Sequence, residues 1–177
     1  MVSYSIIFVP KGKTFQKFSK IIAILAKKNS APEFKPHVSL IGNIRLPEKE
    51  VLSKSRLLAS KMRSFEIRLG KVDYLDMYFR SLFVRAEISR EISEADSLAR
   101  KYFLREKDPP YMPHLSLLYG NFSRERKEGI IQQIGKEFKD KFLADKIEVW
   151  AVPGIDPAEW KVIKKIALKK ARPIKIS

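Results

Sequence analysis

One phrase occurs twice in this chain, as Pro36-His37-Val38-Ser39-Leu40-Ile41-Gly42 and as Pro113-His114-Leu115-Ser116-Leu117-Leu118-Tyr119-Gly120. The two copies hold the only 2 histidines of 177 residues and set them 77 residues apart. Their surroundings are copied with them. A run of β-formers at residues 3–9 precedes the first phrase and a similar run at 81–88 precedes the second, at about the same offset. A chain with this pattern is confined to folds in which one unit is built twice.

Each unit reads as strand, helix, strand, helix, strand. In the first, Thr14 is placed to cap a helix whose Phe15, Phe18, Ile21, Ile22 and Leu25 recur at helical spacing. The phrase itself is the second strand. Pro47 opens a second helix bearing Val51, Leu52 and Leu58, and Phe65, Ile67 and Leu69 alternate with Glu66 and Arg68 as a third strand. In the second unit a helix over 91–105 carries Ile92, Ala95, Leu98 and Tyr102, and one over 123–138 carries Ile130, Ile131, Ile134 and Phe138. Strands near 146–152 and 160–168 follow.

Short links at 73–78 and 107–110 leave no flexible spacer between independent domains. The expected class is therefore α+β: a single bilobal domain over 1–177, with repeats at about 1–76 and 77–170 related by a pseudo-two-fold axis. Two small, mostly antiparallel sheets face a central cleft, helices lie outside, and strands are open to exchange between the lobes. The axis sets the two phrases opposite each other, so each gives the cleft one histidine.

Hydrophobic residues, 45% of the chain, suffice for a shared core. With no cysteine, disulfides, thiolate metal sites and a cysteine nucleophile are excluded. No run of about 18 uncharged apolar residues is present, and residues 1–10 lack the layout of a secretory signal. The expectation is a soluble, cytoplasmic, monomeric protein without membrane contact. Lys and Arg number 36 against 20 acids, and the net charge of +16 points to a polyanionic partner, RNA or a phosphorylated small molecule. The plainer reading of that charge is a set of solvated faces in Lys-rich stretches such as 11–28 and 161–175.

On a strand, residues i and i+2 share a face about 6.5–7 Å apart. His37 and Ser39 thus point one way while Val38 and Leu40 point the other, and His114 and Ser116 repeat this against Leu115 and Leu117. Imidazole, with an unperturbed pKa of about 6.5, takes and gives protons near neutrality. Around one phosphate, a neutral imidazole would deprotonate a water or a ribose hydroxyl, and an imidazolium would protonate the leaving oxygen. Both serine hydroxyls would hold the non-bridging oxygens. No metal or other cofactor is expected, because the histidines lack His-x3-His or His-Glu-x2-His spacing and match zinc poorly. A Ser–His–acid hydrolase is also a poor match, since the Gly-x-Ser-x-Gly elbow is absent.

Two His-x-Ser signatures half a chain apart in a duplicated α/β unit resemble the two-histidine phosphoesterase superfamily, over nearly the whole chain. Tyr4-Ser5-Ile6-Ile7-Phe8-Val9-Pro10 and Pro113-His114-Leu115-Ser116-Leu117-Leu118-Tyr119 are similar to its cyclic phosphodiesterase branch; the sister branch is the 2′-5′ RNA ligase-like group. The resemblance implies metal-independent action on 2′,3′-cyclic phosphates of nucleotides or RNA ends, with a 2′-phosphate as product. It implies His114 as the group that activates water, His37 as the one that protonates the departing oxygen, and Ser39 and Ser116 as holding the phosphate. It also implies that Tyr119 contacts the nucleoside. Strand parity places Tyr119 with Leu117, away from His114, unless the strand ends or bulges before Gly120.

Two alternatives stand beside this. One is an RNA-end enzyme of the 2′-5′ ligase type, suggested by the charge; the other is a non-catalytic RNA-binding module, against which both phrases stand intact. Lys35 and Arg45 flank the first phrase, and Tyr4 and Tyr111 are candidates to stack a base, with surface or packing roles as the plainer reading of each. Arg85, near Arg80, is placed to point into the cleft. Trp150 and Trp160 read as packing anchors, and the basic stretch 161–175 as a candidate RNA contact.

Overall fold

The structure, a computed structural model, describes residues 2–171. The first repeat is β1 (Ser3–Phe8), α1 (Gly12–Asn29), β2 (Val38–Ile44), α2 (Glu48–Lys61) and β3 (Phe65–Asp73). The second is β4 (Leu82–Ala86), α3 (Arg90–Phe103), β5 (His114–Leu118), α4 (Arg124–Ile134), β6 (Lys141–Ala144) and β7 (Lys146–Val152), and β8 (Lys161–Ala167) closes the described chain. Among the described residues no helix is long and apolar enough to cross a membrane.

The strands run in the order β6-β3-β4-β5-β2-β1-β7-β8, and neighbouring strands pair antiparallel. The two sheets read from the sequence meet edge to edge, with β6-β3-β4-β5 joined to β2-β1-β7-β8 through the pair Val38↔Leu115. Exchanging β1 with β4, β2 with β5 and β3 with β7 reads the central strands in reverse order, as a two-fold axis through the β2–β5 seam requires. β3 of the first repeat pairs with β4 of the second, and β7 of the second pairs with β1 of the first. The helices follow the same exchange: α1 packs on β5 and α3 on β2, so each covers the other repeat's motif strand.

Period-two alternation decides which side of each strand meets the helices. Tyr4, Ile6 and Phe8 of β1, Val38 and Leu40 of β2, and Leu115 and Leu117 of β5 enter the main core. Fully burying one such aliphatic side chain contributes about 1.5–3 kcal/mol. The other side of the same strands is left to Ser3, Ser5, Ile7, His37, Ser39, His114 and Ser116, which line an open cleft.

Local signals place the helix ends. Ser89 and Ser123 cap α3 and α4 by accepting the Ile92 and Arg126 backbone N–H groups at 3.2 Å each, interactions worth about 1 kcal/mol apiece. Thr14 is not the cap of α1. That helix starts at Gly12, and the Thr14 hydroxyl donates to the Lys141 carbonyl at 3.0 Å. The last predicted helix stops at Ile134 rather than running to Phe138, because Gly135 takes φ 99. Phe138 instead packs on Phe18, ring centroids 5.2 Å apart. Strand β6 was not anticipated, although Phe142 and Ala144 are buried in alternation with Lys141 and Leu143. Of the basic stretch 161–175, residues 161–167 form the edge strand β8, and those from 172 onward lie outside the described residues.

Candidate active site

His37 immediately precedes β2 and His114 opens β5, so both stand where the strands leave Pro36 and Pro113. The two rings are held the same way. Nδ1 of His37 lies 2.7 Å from the Lys35 carbonyl, and Nδ1 of His114 lies 2.8 Å from the Met112 carbonyl, two residues back in each case. A carbonyl only accepts, so both Nδ1 atoms carry the proton and both Nε2 atoms are left to accept one. The intervening prolines hold this local geometry by fixing their own φ and biasing the residue before toward extended backbone.

The phrases also share a distortion. In the β1–β2 ladder Ile6 pairs with Ile41 and Ile7 with Ser39, leaving Leu40 as an extra residue; in the β4–β5 ladder Leu82 pairs with Leu118 and Phe83 with Ser116, leaving Leu117 extra. These two β-bulges occupy equivalent positions, and the β1–β2 ladder shifts register once more between Tyr4 and Ile6. The bulge at Leu117 and the end of β5 at Leu118 reset the parity beyond them, and Tyr119 does line the cleft. Counting antiparallel from Val38↔Leu115 sets His37 across from Ser116 and Ser39 across from His114.

The resulting cleft has a cavity volume of about 780 Å³ and holds both histidines, both serines and Tyr119. Its two ends differ. Aromatic rings crowd the His37 end: Trp150 is 5.2 Å and Trp160 6.3 Å from the imidazole, and Tyr119 stacks on Phe34 at 3.8 Å. Asn43, Arg45, Arg100, Arg105 and Asp108 line the opposite, polar end. His114 packs edge-on to Phe83 at 5.0 Å. The Ser116 hydroxyl donates to the Phe79 carbonyl at 3.1 Å. Ser39 is less buried and opens to the cleft.

Electrostatics set the two imidazoles apart. Burial pushes the His114 pKa down to about 4, opposed by its bond to the Met112 carbonyl and reinforced by Arg80, His37 and Arg85. Burial lowers the His37 pKa as well. There the Lys35 carbonyl and the Glu148 carboxylate push it up, against the Lys35 ammonium. His114 thus has cations for neighbours, while His37 has a carboxylate among its own. Burial raises the Tyr111 and Tyr119 phenols far above their ordinary range. Among the described residues no group of 3 or more His, Asp or Glu is gathered in a way that could hold a metal ion.

The other anticipated residues divide. Arg45, Arg80 and Tyr111 line the cleft, the Tyr111 hydroxyl donating to the Ser39 carbonyl at 2.8 Å. Tyr4 does not reach it: it faces the core and its hydroxyl bonds Glu48. Arg85 is drawn away from the cleft by Asp73 on the adjacent β3, with Nη2 2.6 Å from the carboxylate. Lys35 reaches back to Glu148, at 3.2 Å. Trp150 and Trp160 do more than anchor packing, since both form the cleft wall. Phe34, Phe79 and Glu148 were not anticipated; Glu148 sits in a β-forming run where a lone acid reads as solvent-facing, yet it is 1% exposed.

Residues 1–168 match the family described as cyclic phosphodiesterase-like protein. A cyclic phosphodiesterase of Arabidopsis thaliana is 26% identical over 125 residues, 71% of this chain and 69% of that protein. In fold the chain is similar to TT0787 of Thermus thermophilus, with TM-score 0.68 and 16% identity over 97% of this chain and 100% of that one. It is also similar to E. coli LigT, solved in complex with 3′-AMP, with TM-score 0.64 and 15% identity over 95% and 98% of the two chains. The chain belongs to the cyclic phosphodiesterase-like family, within the two-histidine phosphoesterase superfamily.

Proposed function

We propose that this phosphoesterase hydrolyses 2′,3′-cyclic phosphodiesters of nucleotides or RNA ends without a metal and leaves a 2′-phosphate. The observation that carries the reading is the pair of matched Nδ1-to-carbonyl bonds, which leave two Nε2 atoms free in one cleft. His114, kept neutral by burial and by Arg80 and Arg85, is the base that takes a proton from water. The water oxygen forms the new P–O bond as the bond from phosphorus to the 3′ oxygen breaks. His37, beside Glu148, enters as the imidazolium and gives its proton to that oxygen. One proton is taken and one is given, so the step balances.

Ser39 and Ser116 donate to the non-bridging oxygens, with Ser116 turning from the Phe79 carbonyl to do so. The phosphate's own negative charge offsets the burial that otherwise disfavours the imidazolium. The aromatic end of the cleft suits a nucleobase, in keeping with the LigT structures that hold 3′-AMP and ATP. Phosphorus NMR after turnover of a nucleoside 2′,3′-cyclic phosphate tests the reading. A 2′-phosphate is expected; a 3′-phosphate, or no turnover, contradicts it.

A second reading, RNA-end processing of the 2′-5′ ligase type, is favoured by the Arg45 and Arg105 end of the cleft together with the +16 charge. It requires oligonucleotide ends to be preferred over mononucleotides, with binding that weakens steeply as salt rises.

A further inference from the structure

Glu148 of β7 is a carboxylate that the proposed reaction does not use, and its side chain is 2% exposed. A charge removed from water this far costs several kcal/mol unless it is paired. Its partners are specific. The Trp150 indole N–H donates to Oε2 at 3.0 Å, the Lys35 ammonium lies 3.2 Å from the same oxygen, and the Lys165 ammonium of β8 lies 3.6 Å from Oε1. Burial opposes ionisation, but the Trp150 and Lys35 bonds and the Lys35 and Lys165 charges hold the carboxyl below its ordinary pKa, so it is charged at neutral pH.

Two of those partners are the residues that hold His37. The Lys35 carbonyl accepts the Nδ1 proton, and the Trp150 ring lies against the imidazole at 5.2 Å while the Lys35 ammonium sits over the same ring at 5.5 Å. Glu148 reaches this place because β7 pairs with β1, Ile7 opposite Glu148 and Ser5 opposite Trp150, with Ser5 and Ile7 lining the cleft. The charged and titratable groups around His37 are then Lys35 on its own segment, Glu148 on β7, Lys165 on β8 and His114 on β5. The carboxylate at the matching register position of the second repeat, Asp73 opposite Phe83 as Glu148 is opposite Ile7, is more exposed and is taken up by Arg85, so the charges that act on His114 are those of Arg80, His37 and Arg85.

We propose that Glu148 is a positioning residue that makes His37, rather than His114, the proton donor: it anchors Lys35 and Trp150 around the ring and supplies a negative charge beside it. The proposal rests on the acid and base roles given above. It explains how two near-identical phrases carry opposite duties.

Because the chain has only 2 histidines, each ring is followed singly by heteronuclear NMR as pH is varied. Glu148→Gln keeps the side chain's size but leaves two ammonium groups unneutralised beside His37, so its titration moves to lower pH. Lys35→Met removes one of those cations and leaves the carboxylate, so the titration moves to higher pH. His114 stays in place in both. If one variant does not fold, the other still fixes the sign. An unmoved His37, or shifts of the same sign in both variants, overturns the proposal.

Kinetics separate this from the role assignment. With Glu148→Gln the alkaline limb of the kcat/KM profile moves inward, and kcat above neutral pH falls on the order of tenfold while KM changes little. Movement of the acidic limb instead, with the NMR shifts as expected, overturns His37 as the donor while leaving the Glu148 linkage in place.

Discussion

Val38 of β2 stands opposite Leu115 of β5, both fully buried, at the seam where the two halves of the sheet meet. Each is the residue after a motif histidine, so this one pair sets the spacing of His37 and His114 across the cleft. Leu115→Ala leaves a cavity at the seam and is expected to cost about 2–5 kcal/mol in urea unfolding. In protein that remains folded, turnover is expected to fall by about tenfold to a hundredfold, because the acid and base lose their mutual placement. Full turnover in that variant would detach the seam from the chemistry.

The buried imidazoles make stability depend on pH in a definite direction. The folded-state pKa of His114 is pushed down to about 4, while the unfolded chain titrates near 6.5. Above that value neither state binds the proton. As pH falls below it the unfolded state binds first, so stability drops progressively between about 6.5 and 4. At pH 5 the His114 contribution is about 2 kcal/mol, and His37 shifts in the same direction. Urea unfolding at pH 7 and pH 5 checks this: His114→Gln should lose about 2 kcal/mol less on acidification than the parent chain. Equal losses would show that His114 is not held neutral in the fold.

The two serines are expected to act on the transition state. Ser39→Ala and Ser116→Ala should each lower kcat by about a hundredfold with a smaller change in KM, as for removal of a donor from a developing oxyanion. Tyr119→Phe removes a buried phenol hydroxyl from the cleft wall and should cost about tenfold. Steady-state kinetics on a nucleoside 2′,3′-cyclic phosphate reads all three. Unchanged kcat in both serine variants would leave the phosphate without its assigned donors.

What the sequence made legible follows from local periodicity. The His-x-Ser alternation and its copy depend on a period of two and on self-similarity, so the shared face of His37 and Ser39 and its twin at His114 and Ser116 could be read directly. The bulges at Leu40 and Leu117 could not, because an extra residue inside a strand leaves an unbroken apolar run. That is why the parity of Tyr119 stayed open. Trp150 and Glu148 come to His37 only through the pairing of β1 with β7, across the whole chain, and a lone acid or indole in a strand carries no sign of its partner. Arg85 was misplaced for a similar reason: Asp73, on the neighbouring strand, captures it. Gly135 was visible, but the apolar spacing through Phe138 continued past it, and the local stop prevailed.

If His37 and His114 divide the two proton transfers of one metal-independent step, as proposed, the pH dependence of kcat/KM for a nucleoside 2′,3′-cyclic phosphate in EDTA will show it when measured for the parent chain, His37→Ala and His114→Ala. The expected result is a bell-shaped profile at full activity in EDTA, with turnover lost by more than about 10³-fold in either variant. Activity that vanishes in EDTA and returns with a divalent cation, or that survives in either alanine variant, would contradict the account.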